Sequence, residues 1–145
     1  MSTARTRDRS TIYTMTLALA TGAVGGQNQA VANIRGTYTA GPASGATNEF
    51  VIGAACEDYS QTAGDTTVQA QLYRPVDLEW FANDGNIAIA TDFLAKCYLV
   101  DGDTVSKTKT SGGINRAFAG VIWAVDSTRG VGVRVTAVES ADLMS

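Results

Sequence analysis

The sequence predicts an all-β fold, a small antiparallel β-barrel or β-sandwich with an extended N-terminal arm. Apolar and polar residues alternate with a period of two along several stretches, which is typical of strands with one buried face. The chain has 15 glycines and only 2 prolines in 145 residues, a mixture that suits short strands joined by many turns. No long stretch has helical periodicity, and only residues 92–96 indicate a short helix.

The clearest predicted element is a hairpin in the last third of the chain. Residues 118–125 form an apolar run with β-branched and aromatic side chains, which favours a strand covered on both faces. Residues 126–130 supply a turn that ends at Gly130, and the valines of residues 131–135 share one face. We therefore expect two antiparallel strands joined by this turn.

Other strands are predicted along the rest of the chain. The segment 11–20 places Tyr13 and three further large apolar residues on one face. The long alternation of residues 66–81 is interrupted by Pro75, which cannot donate a ladder hydrogen bond and should divide it into two strands. Residues 39–48 are small and polar and predict a surface loop. The remaining predicted strands are residues 29–34, 49–56 with a bend or bulge at Gly53, 97–100 and 104–108.

Composition limits the classes of function. The 11 lysines and arginines against 14 acidic residues give a net charge of −3, which disfavours generic nucleic-acid binding. Histidine is absent, so histidine-based catalysis and histidine-ligated metals are excluded. No apolar run is long enough for a membrane span, and residues 5–20 match a signal peptide only poorly, so we expect a cytoplasmic origin.

Three segments are predicted. A basic arm, residues 1–10, carries Arg5, Arg7 and Arg9, and we expect a neighbouring chain to hold it. One β-rich domain covers residues 11–138, and a short tail covers residues 139–145.

The two cysteines, Cys56 and Cys97, lie in apolar stretches and outside any C-x-x-C pair. A structural zinc site is therefore disfavoured. Two buried free thiols are the preferred interpretation, and a disulfide in an oxidising compartment is the alternative.

Acidic pairs occur but indicate no active site. Glu57 with Asp58, and Asp77 with Glu79, fit the wet faces or ends of strands. Residues 101–103, Asp-Gly-Asp, begin like a calcium loop, but strands and not helices flank them, so a hairpin turn is preferred.

The sequence contains two tryptophans, whose aromatic rings could stack on a sugar or a base. Trp80 and Trp123 lie within apolar strands, which favours roles in the core or in a subunit contact.

The order of several short motifs resembles a known family. Phe-Val-Ile-Gly-Ala at residues 50–54 and Ala-Gly-Asp-Thr-Thr-Val at 63–68 come first, followed by the motif of residues 97–105. Ala-Gly-Val-Ile at 119–122 then precedes the valine-rich strand of residues 130–135. This pattern resembles the small β-rich head decoration, or capsid cement, proteins of tailed bacteriophages.

The resemblance implies a catalytically inert virion protein without a cofactor. It would bind the major capsid protein on the outside of the head, stabilise the expanded shell, and form a homo-trimer of barrel or β-tulip domains. Arg5, Arg7 and Arg9 would then contact acidic capsid surface, and Tyr13, Tyr73 and Phe81 would be candidates for intersubunit contacts. The alternatives are a ligand-binding β-sandwich of a phage fibre and a tail-tube or head–tail connector protein.

Overall fold

The computed structural model describes residues 14–34, 39–47, 49–74 and 77–135. Strands make up 54% of the structure and helix 4%, which confirms the predicted all-β class. The main sheets close into two five-stranded barrels, so the chain adopts the barrel form of the prediction. The arm, Tyr13 and the C-terminal tail lie outside the described residues.

The first barrel is built from the first half of the chain. Five strands close it in the order β1-β4-β3-β5-β7, and a two-stranded ribbon, β2 with β6, lies beside it. The strands are β1 (Thr14–Leu19), β2 (Val24–Gly25), β3 (Ala30–Ile34), β4 (Thr39–Pro42), β5 (Glu49–Ala55), β6 (Tyr59–Ser60) and β7 (Thr67–Leu72).

The second barrel follows after a short connection. Its ring order is β10-β8-β14-β13-β9, and β11 with β12 form a separate small hairpin. The elements are β8 (Glu79–Asn83), α1 (Ile89–Asp92), β9 (Lys96–Leu99), β10 (Thr104–Ser106), β11 (Thr110–Ser111), β12 (Ile114–Asn115), β13 (Phe118–Asp126) and β14 (Gly130–Val135). The single helix of the described residues thus begins three residues before the predicted one.

The two barrels share one topology. If the five barrel strands of each half are taken in chain order, the first and third pair in parallel and the other four neighbours pair antiparallel. The parallel pairs are Ala18 with Thr39 and, about 65 residues later, Ala82 with Thr104. Four of the five pairings in each barrel are antiparallel, and because a ring with an odd number of strands cannot alternate in direction throughout, one parallel pair is unavoidable.

The registers of the two barrels also match. Gly53 of β5 pairs with Leu72, and Gly120 of β13 pairs with Val135. At each glycine an added Cβ would collide with the backbone carbonyl of the penultimate residue of the next strand, Gln71 or Arg134. Each glycine also adjoins a register shift in its pairing with the strand on its other side, so the bulge predicted at Gly53 is present in both halves. We conclude that the chain contains an internal structural repeat.

Each barrel has an apolar interior. That of the first includes Leu17, Val31 and Val68, and that of the second contains Ile122 and Val131 among its fully buried residues. Four residues from the first half of the chain pack in the second core: Ala30, Ala32, Ala43 and Val51.

The joint between the barrels lies in the segment that was predicted to be a surface loop. Residues 39–42 form β4, and residues 43–47 pack against the second barrel. Gly45 adopts a φ of +88°, and an added Cβ would lie 2.6 Å from the carbonyl oxygen of Leu99. The Ala117 N–H donates a hydrogen bond of 3.0 Å to the Gly45 carbonyl. Small residues at this joint allow two backbones to approach closely. A run of small and polar residues is also typical of a surface loop, which is what the sequence predicted.

The predicted hairpins are confirmed. β13 pairs antiparallel with β14, and Gly130 has a φ of +96° in the turn. β9 pairs antiparallel with β10 across residues 101–103. The break between β7 and β8 is also present, with Pro75 itself outside the described residues. The alternation of residues 66–81 predicts that Val68, Ala70 and Trp80 share the buried face. This is correct for Val68 and Ala70 in β7 but wrong in β8, where Phe81 and not Trp80 is buried. The interruption between the two strands frees β8 from the parity of β7.

The joint predicts a specific cost for Gly45→Ala. The variant combines an unfavourable φ with a clash against backbone, so we expect a loss of unfolding free energy of about 3 kcal/mol. Gly64→Ala is the matched control, since Gly64 also has a positive φ, +109°, but no atom lies within 4 Å of an added Cβ; it should cost only about 1 kcal/mol. Urea unfolding measures both, and equal losses would contradict the close approach.

Both cysteines are free, as predicted, although Cys56 is only partly buried. Burial raises the pKa of the Cys97 thiol to about 12. We expect an aromatic disulfide reagent to titrate one thiol in the native protein and two in denaturant. Cys56→Ser should abolish the native reaction, and Cys97→Ser should leave it intact. Rapid modification of both thiols in native protein would contradict the burial of Cys97.

Candidate interaction surface

The outer face of the second barrel carries a row of large side chains. Val121 of β13 pairs with Lys96 on one side and with Arg134 on the other. Their neighbours along the chain, such as Cys97, Ile122 and Val133, are fully buried in the barrel. Because side chains alternate across a strand, this row faces away from the core.

Trp123 lies next to this row and is packed on two sides. The Arg134 guanidinium carbon lies 3.8 Å from the centroid of the indole ring, which is a favourable cation–π distance. The Phe93 ring meets the same indole edge to face, with centroids 5.6 Å apart and an interplanar angle of 84°. Among the residues that the structure describes, Arg134 forms no ion pair with a carboxylate, and its Nε is buried without a hydrogen-bond partner. Its charge is therefore not neutralised within the described part of the chain.

The segment that carries α1 adds exposed apolar side chains to this face. Phe93 is 51% exposed and Leu94 is 50% exposed, and Ile89 is also exposed. We call Ile89, Phe93, Leu94, Trp123 and Arg134 together the aromatic–arginine patch. Exposed clusters of this kind mark interaction sites more often than chance scatter does.

Leu94 is held in an unfavourable backbone conformation. Its φ is +66°, in the left-handed region, which costs most L-residues about 1–2 kcal/mol. The Leu94 N–H donates to the Ile122 carbonyl at 2.8 Å, and the Ile122 N–H donates to the Ala95 carbonyl at 2.9 Å. These two bonds fix Leu94 at the surface.

In the first barrel, Asn28 occupies the equivalent position. Asn28 has a φ of +70°, its N–H donates to the Ala55 carbonyl at 2.8 Å, and the Ala55 N–H donates back to the Gln29 carbonyl at 2.9 Å. Asn28 and Leu94 are therefore equivalent in the repeat, and they are the only non-glycine residues with positive φ in the described ranges. Asparagine tolerates this conformation and leucine does not, so the second barrel retains an apolar side chain despite its backbone cost.

The other positions of the patch also carry different residues in the two barrels. By strand register, the second barrel replaces small or uncharged residues of the first by larger or charged ones. The equivalent pairs are Ala30 with Lys96, Ala54 with Val121, Cys56 with Trp123, and Gln71 with Arg134. The patch is thus a feature of the second barrel and not of the shared fold.

Asp92 anchors the helix under this patch. It is buried, and its carboxylate accepts a hydrogen bond from the Ala88 N–H at 2.8 Å. The Lys107 ammonium lies 3.5 Å away. The Ala88 hydrogen bond, and then the Lys107 charge, hold the pKa of Asp92 below its usual value, so the carboxylate stays charged at neutral pH and fixes the start of α1.

Trp80 is the second partly buried tryptophan, and an arginine covers it as well. The Arg129 guanidinium carbon lies 4.1 Å from the Trp80 ring centroid. A shallow groove of about 430 Å³ runs between β8 and the turn at residues 126–130. Neither tryptophan belongs to a buried core cluster, and each has an arginine guanidinium stacked over its ring.

The intersubunit residues suggested by the sequence have different positions. Phe81 is 5% exposed and packs in the second core, so its ring is unavailable to a neighbouring subunit. Tyr73 is partly buried against that core, and its ring lies 6.5 Å from that of Phe81. Burial raises the pKa of the Tyr73 hydroxyl, and nearby Glu79 raises it further. Tyr13, like Arg5, Arg7 and Arg9, lies outside the described residues.

One member of each acidic pair, Asp77 and Asp58, has a structural partner. Arg74 binds Asp77 through two hydrogen bonds of 2.6 and 3.1 Å, which lowers the pKa of Asp77. Asp58 accepts a hydrogen bond from the Gln27 N–H at 2.7 Å, and Asp101 accepts one from the Asp103 N–H within the hairpin turn. Among the described residues, no three histidine, cysteine or acidic side chains are grouped as a metal site. No helix in these ranges is long and apolar enough to cross a membrane.

The repeat predicts that Leu94→Asn stabilises the protein. Asparagine relieves the backbone cost, so the unfolding free energy should rise by up to about 1 kcal/mol. Ile89→Asn is the control, because Ile89 is also an exposed apolar residue but has a helical backbone; it should be neutral or slightly destabilising. Urea unfolding measures the unfolding free energy of both variants. If Leu94→Asn lowers it as much as Ile89→Asn does, the backbone strain assigned to Leu94 is contradicted.

We compared the chain with known proteins. No protein-family model, curated protein or solved structure matches it. The likeness to head decoration proteins therefore rests on the short motifs of the sequence, and the function has to be inferred from the chain's own surfaces.

Proposed function

We propose that the chain is a virion structural protein that binds the outer surface of a phage capsid and stabilises the expanded head. The aromatic–arginine patch carries this proposal. Tryptophan, phenylalanine and arginine are the residues enriched at the centres of protein interfaces. A rigid barrel that presents them on a backbone held by two hydrogen bonds suits docking to another folded protein better than chemistry on a small substrate.

The motifs behind the family resemblance support the same proposal. Four of these five motifs fall on β5, on the β9–β10 hairpin and on the β13–β14 hairpin, which form the repeated barrels, and the motif of residues 63–68 covers the turn before β7 and the start of that strand. Most of the resemblance therefore concerns strands and hairpins of the two barrels.

The basic arm is the proposed contact with the capsid. Arg5, Arg7 and Arg9 bring positive charge to a chain whose net charge is −3, so they complement an acidic surface of the major capsid protein. A protein that binds only the assembled, expanded shell stabilises that state by mass action, and many modest contacts add up over the shell. Assembly would take place in the host cytoplasm, and the mature location would be the capsid exterior.

The test is to mix the purified chain with undecorated expanded heads of its phage. Binding is measured by co-sedimentation, and shell stability by the temperature at which DNA is released. We expect saturable binding and a higher release temperature. Deleting residues 1–10 should weaken binding at least tenfold, and replacing only the three arginines by glutamine should reproduce most of that loss.

Deleting residues 139–145 is the control, because it shortens the chain without removing the arginines. Unchanged affinity after loss of the arm would contradict its role. Absence of any binding to heads, or location of the protein in a tail or connector ring by electron microscopy, would contradict the proposed function itself.

A further inference from the structure

We propose that the Glu49 carboxylate couples the two barrels by holding residues 43–47 against the second barrel. We call residues 43–47 the joint segment. Glu49 acts through the backbone of this segment, so it is a positioning residue. The inference is independent of the proposed function, because it concerns how the two halves of one chain are joined and not what the chain binds.

The Glu49 side chain is bound by the backbone of the joint segment. Its Oε1 accepts hydrogen bonds from the Ser44 N–H and the Ala46 N–H, both at 2.9 Å, and its Oε2 accepts one from the Ser44 N–H at 3.1 Å. Between these donors, Gly45 has a φ of +88°. N–H groups that converge around such a residue form a concave site for an anion, and hydrogen bonds to a carboxylate are stronger than those between neutral groups. The Glu49 carboxylate therefore fixes the backbone on both sides of Gly45.

The joint segment meets the second barrel with Gly45 and Thr47. The Gly45 carbonyl accepts a hydrogen bond from the Ala117 N–H at 3.0 Å, and the Thr47 hydroxyl donates to the Asn115 carbonyl. Both partners lie just before β13. Gly45 is thus held through its two neighbours by the carboxylate and bonded through its carbonyl to the second barrel. It is the point at which Glu49 acts on the contact between the barrels.

Apolar packing contributes to the joint but does not set the path of this segment. Ala43 at its start and Val51 after it pack in the second core. Hydrophobic contacts are non-directional, whereas hydrogen bonds need defined distances and angles. The conformation of Gly45 therefore depends on the hydrogen bonds around the Glu49 carboxylate.

The internal repeat supports this role for the position of Glu49. By the register of β5 and β13, Glu49 is equivalent to Arg116, and each side chain binds the backbone of the connection before its own strand. The Arg116 guanidinium donates to the Thr108 carbonyl at 3.0 Å, whereas the Glu49 carboxylate accepts from N–H groups. The two barrels thus use opposite charges at one position to fix the same connection, and in the first barrel that connection forms the joint.

Coupled barrels should unfold as one unit. Spectroscopy distinguishes this from separate unfolding, because the two tryptophans of the chain, Trp80 in β8 and Trp123 in β13, both lie in the second barrel. Tryptophan fluorescence therefore reports the second barrel alone, while far-ultraviolet circular dichroism reports the strands of both barrels. Coincident urea transitions by the two probes indicate coupling, and separate transitions indicate its loss.

The test compares the wild type with Glu49→Ala. We expect coincident transitions in the wild type and separate transitions in the variant, because one barrel can then open without the other. Native-state hydrogen exchange of the Ala117 N–H should become at least tenfold faster in the variant, since its acceptor Gly45 is no longer held. The Ile122 N–H, which donates to the Ala95 carbonyl within the second barrel, should exchange at an unchanged rate.

Two further variants separate coupling from a general loss of stability. Glu57→Ala removes an exposed carboxylate from the same barrel and should leave the transitions coincident. Glu49→Gln keeps an oxygen that can accept from both N–H groups. It should therefore keep the transitions coincident and the exchange rate of the Ala117 N–H within about threefold of that in the wild type.

The wild type alone provides a second measurement if Glu49→Ala does not fold. The N–H groups of Ser44, Ala46 and Ala117 should show equal protection with equal dependence on urea, because one opening of the joint breaks all three bonds. Unequal protection of these amides, or separate transitions in the wild type, would overturn the inference. So would coincident transitions or unchanged Ala117 exchange in Glu49→Ala. None of these measurements involves binding to heads, so the proposed function is tested separately.

Discussion

Closing five short strands into a ring is the constraint on which the rest of the structure depends. A ring of five needs a parallel pair, and a parallel pair needs a connection that carries the chain from one end of the barrel to the other. Each half meets this need in the same way, through its first and third barrel strands. The close backbone approach at Gly53 and Gly120 recurs at the same register. The path of the loops that join the strands follows from this closure.

Sequence reasoning identified the class and many of the elements but not their arrangement. The β13–β14 hairpin, the β9–β10 hairpin and the break near Pro75 could be predicted because turn residues and side-chain alternation are local signals. The repeat was not detected, because strands such as TVQAQL and GVGVRV share a register and a buried face but few residues. The joint at residues 43–47 was missed for a related reason: small residues that permit close packing have the same composition as an exposed loop.

The candidate surface was only partly visible in the sequence. The sequence predicted that Trp123 is a core residue or a contact residue. In the structure Trp123 is partly buried beneath Arg134, so it is neither fully in the core nor fully exposed. The exposure of Phe93 and Leu94 was not predicted, because an apolar pair after a short helix normally packs inward. Only the backbone of Leu94, compared with that of Asn28, shows that the second half keeps an apolar side chain outward at a conformational cost. Equivalent positions within one chain thus provided a comparison that a single sequence does not offer.

The pair of hydrogen bonds at Ile122 has a mechanical consequence. The residue both donates to Ala95 and accepts from Leu94, and it sits in the middle of β13, which is bonded to β9 and β14 on its two sides. A pull applied to Leu94 is therefore borne by two bonds at once and passes directly into a central strand. The segment after α1 resists being peeled away one bond at a time, and tension at this point spreads through the whole second barrel.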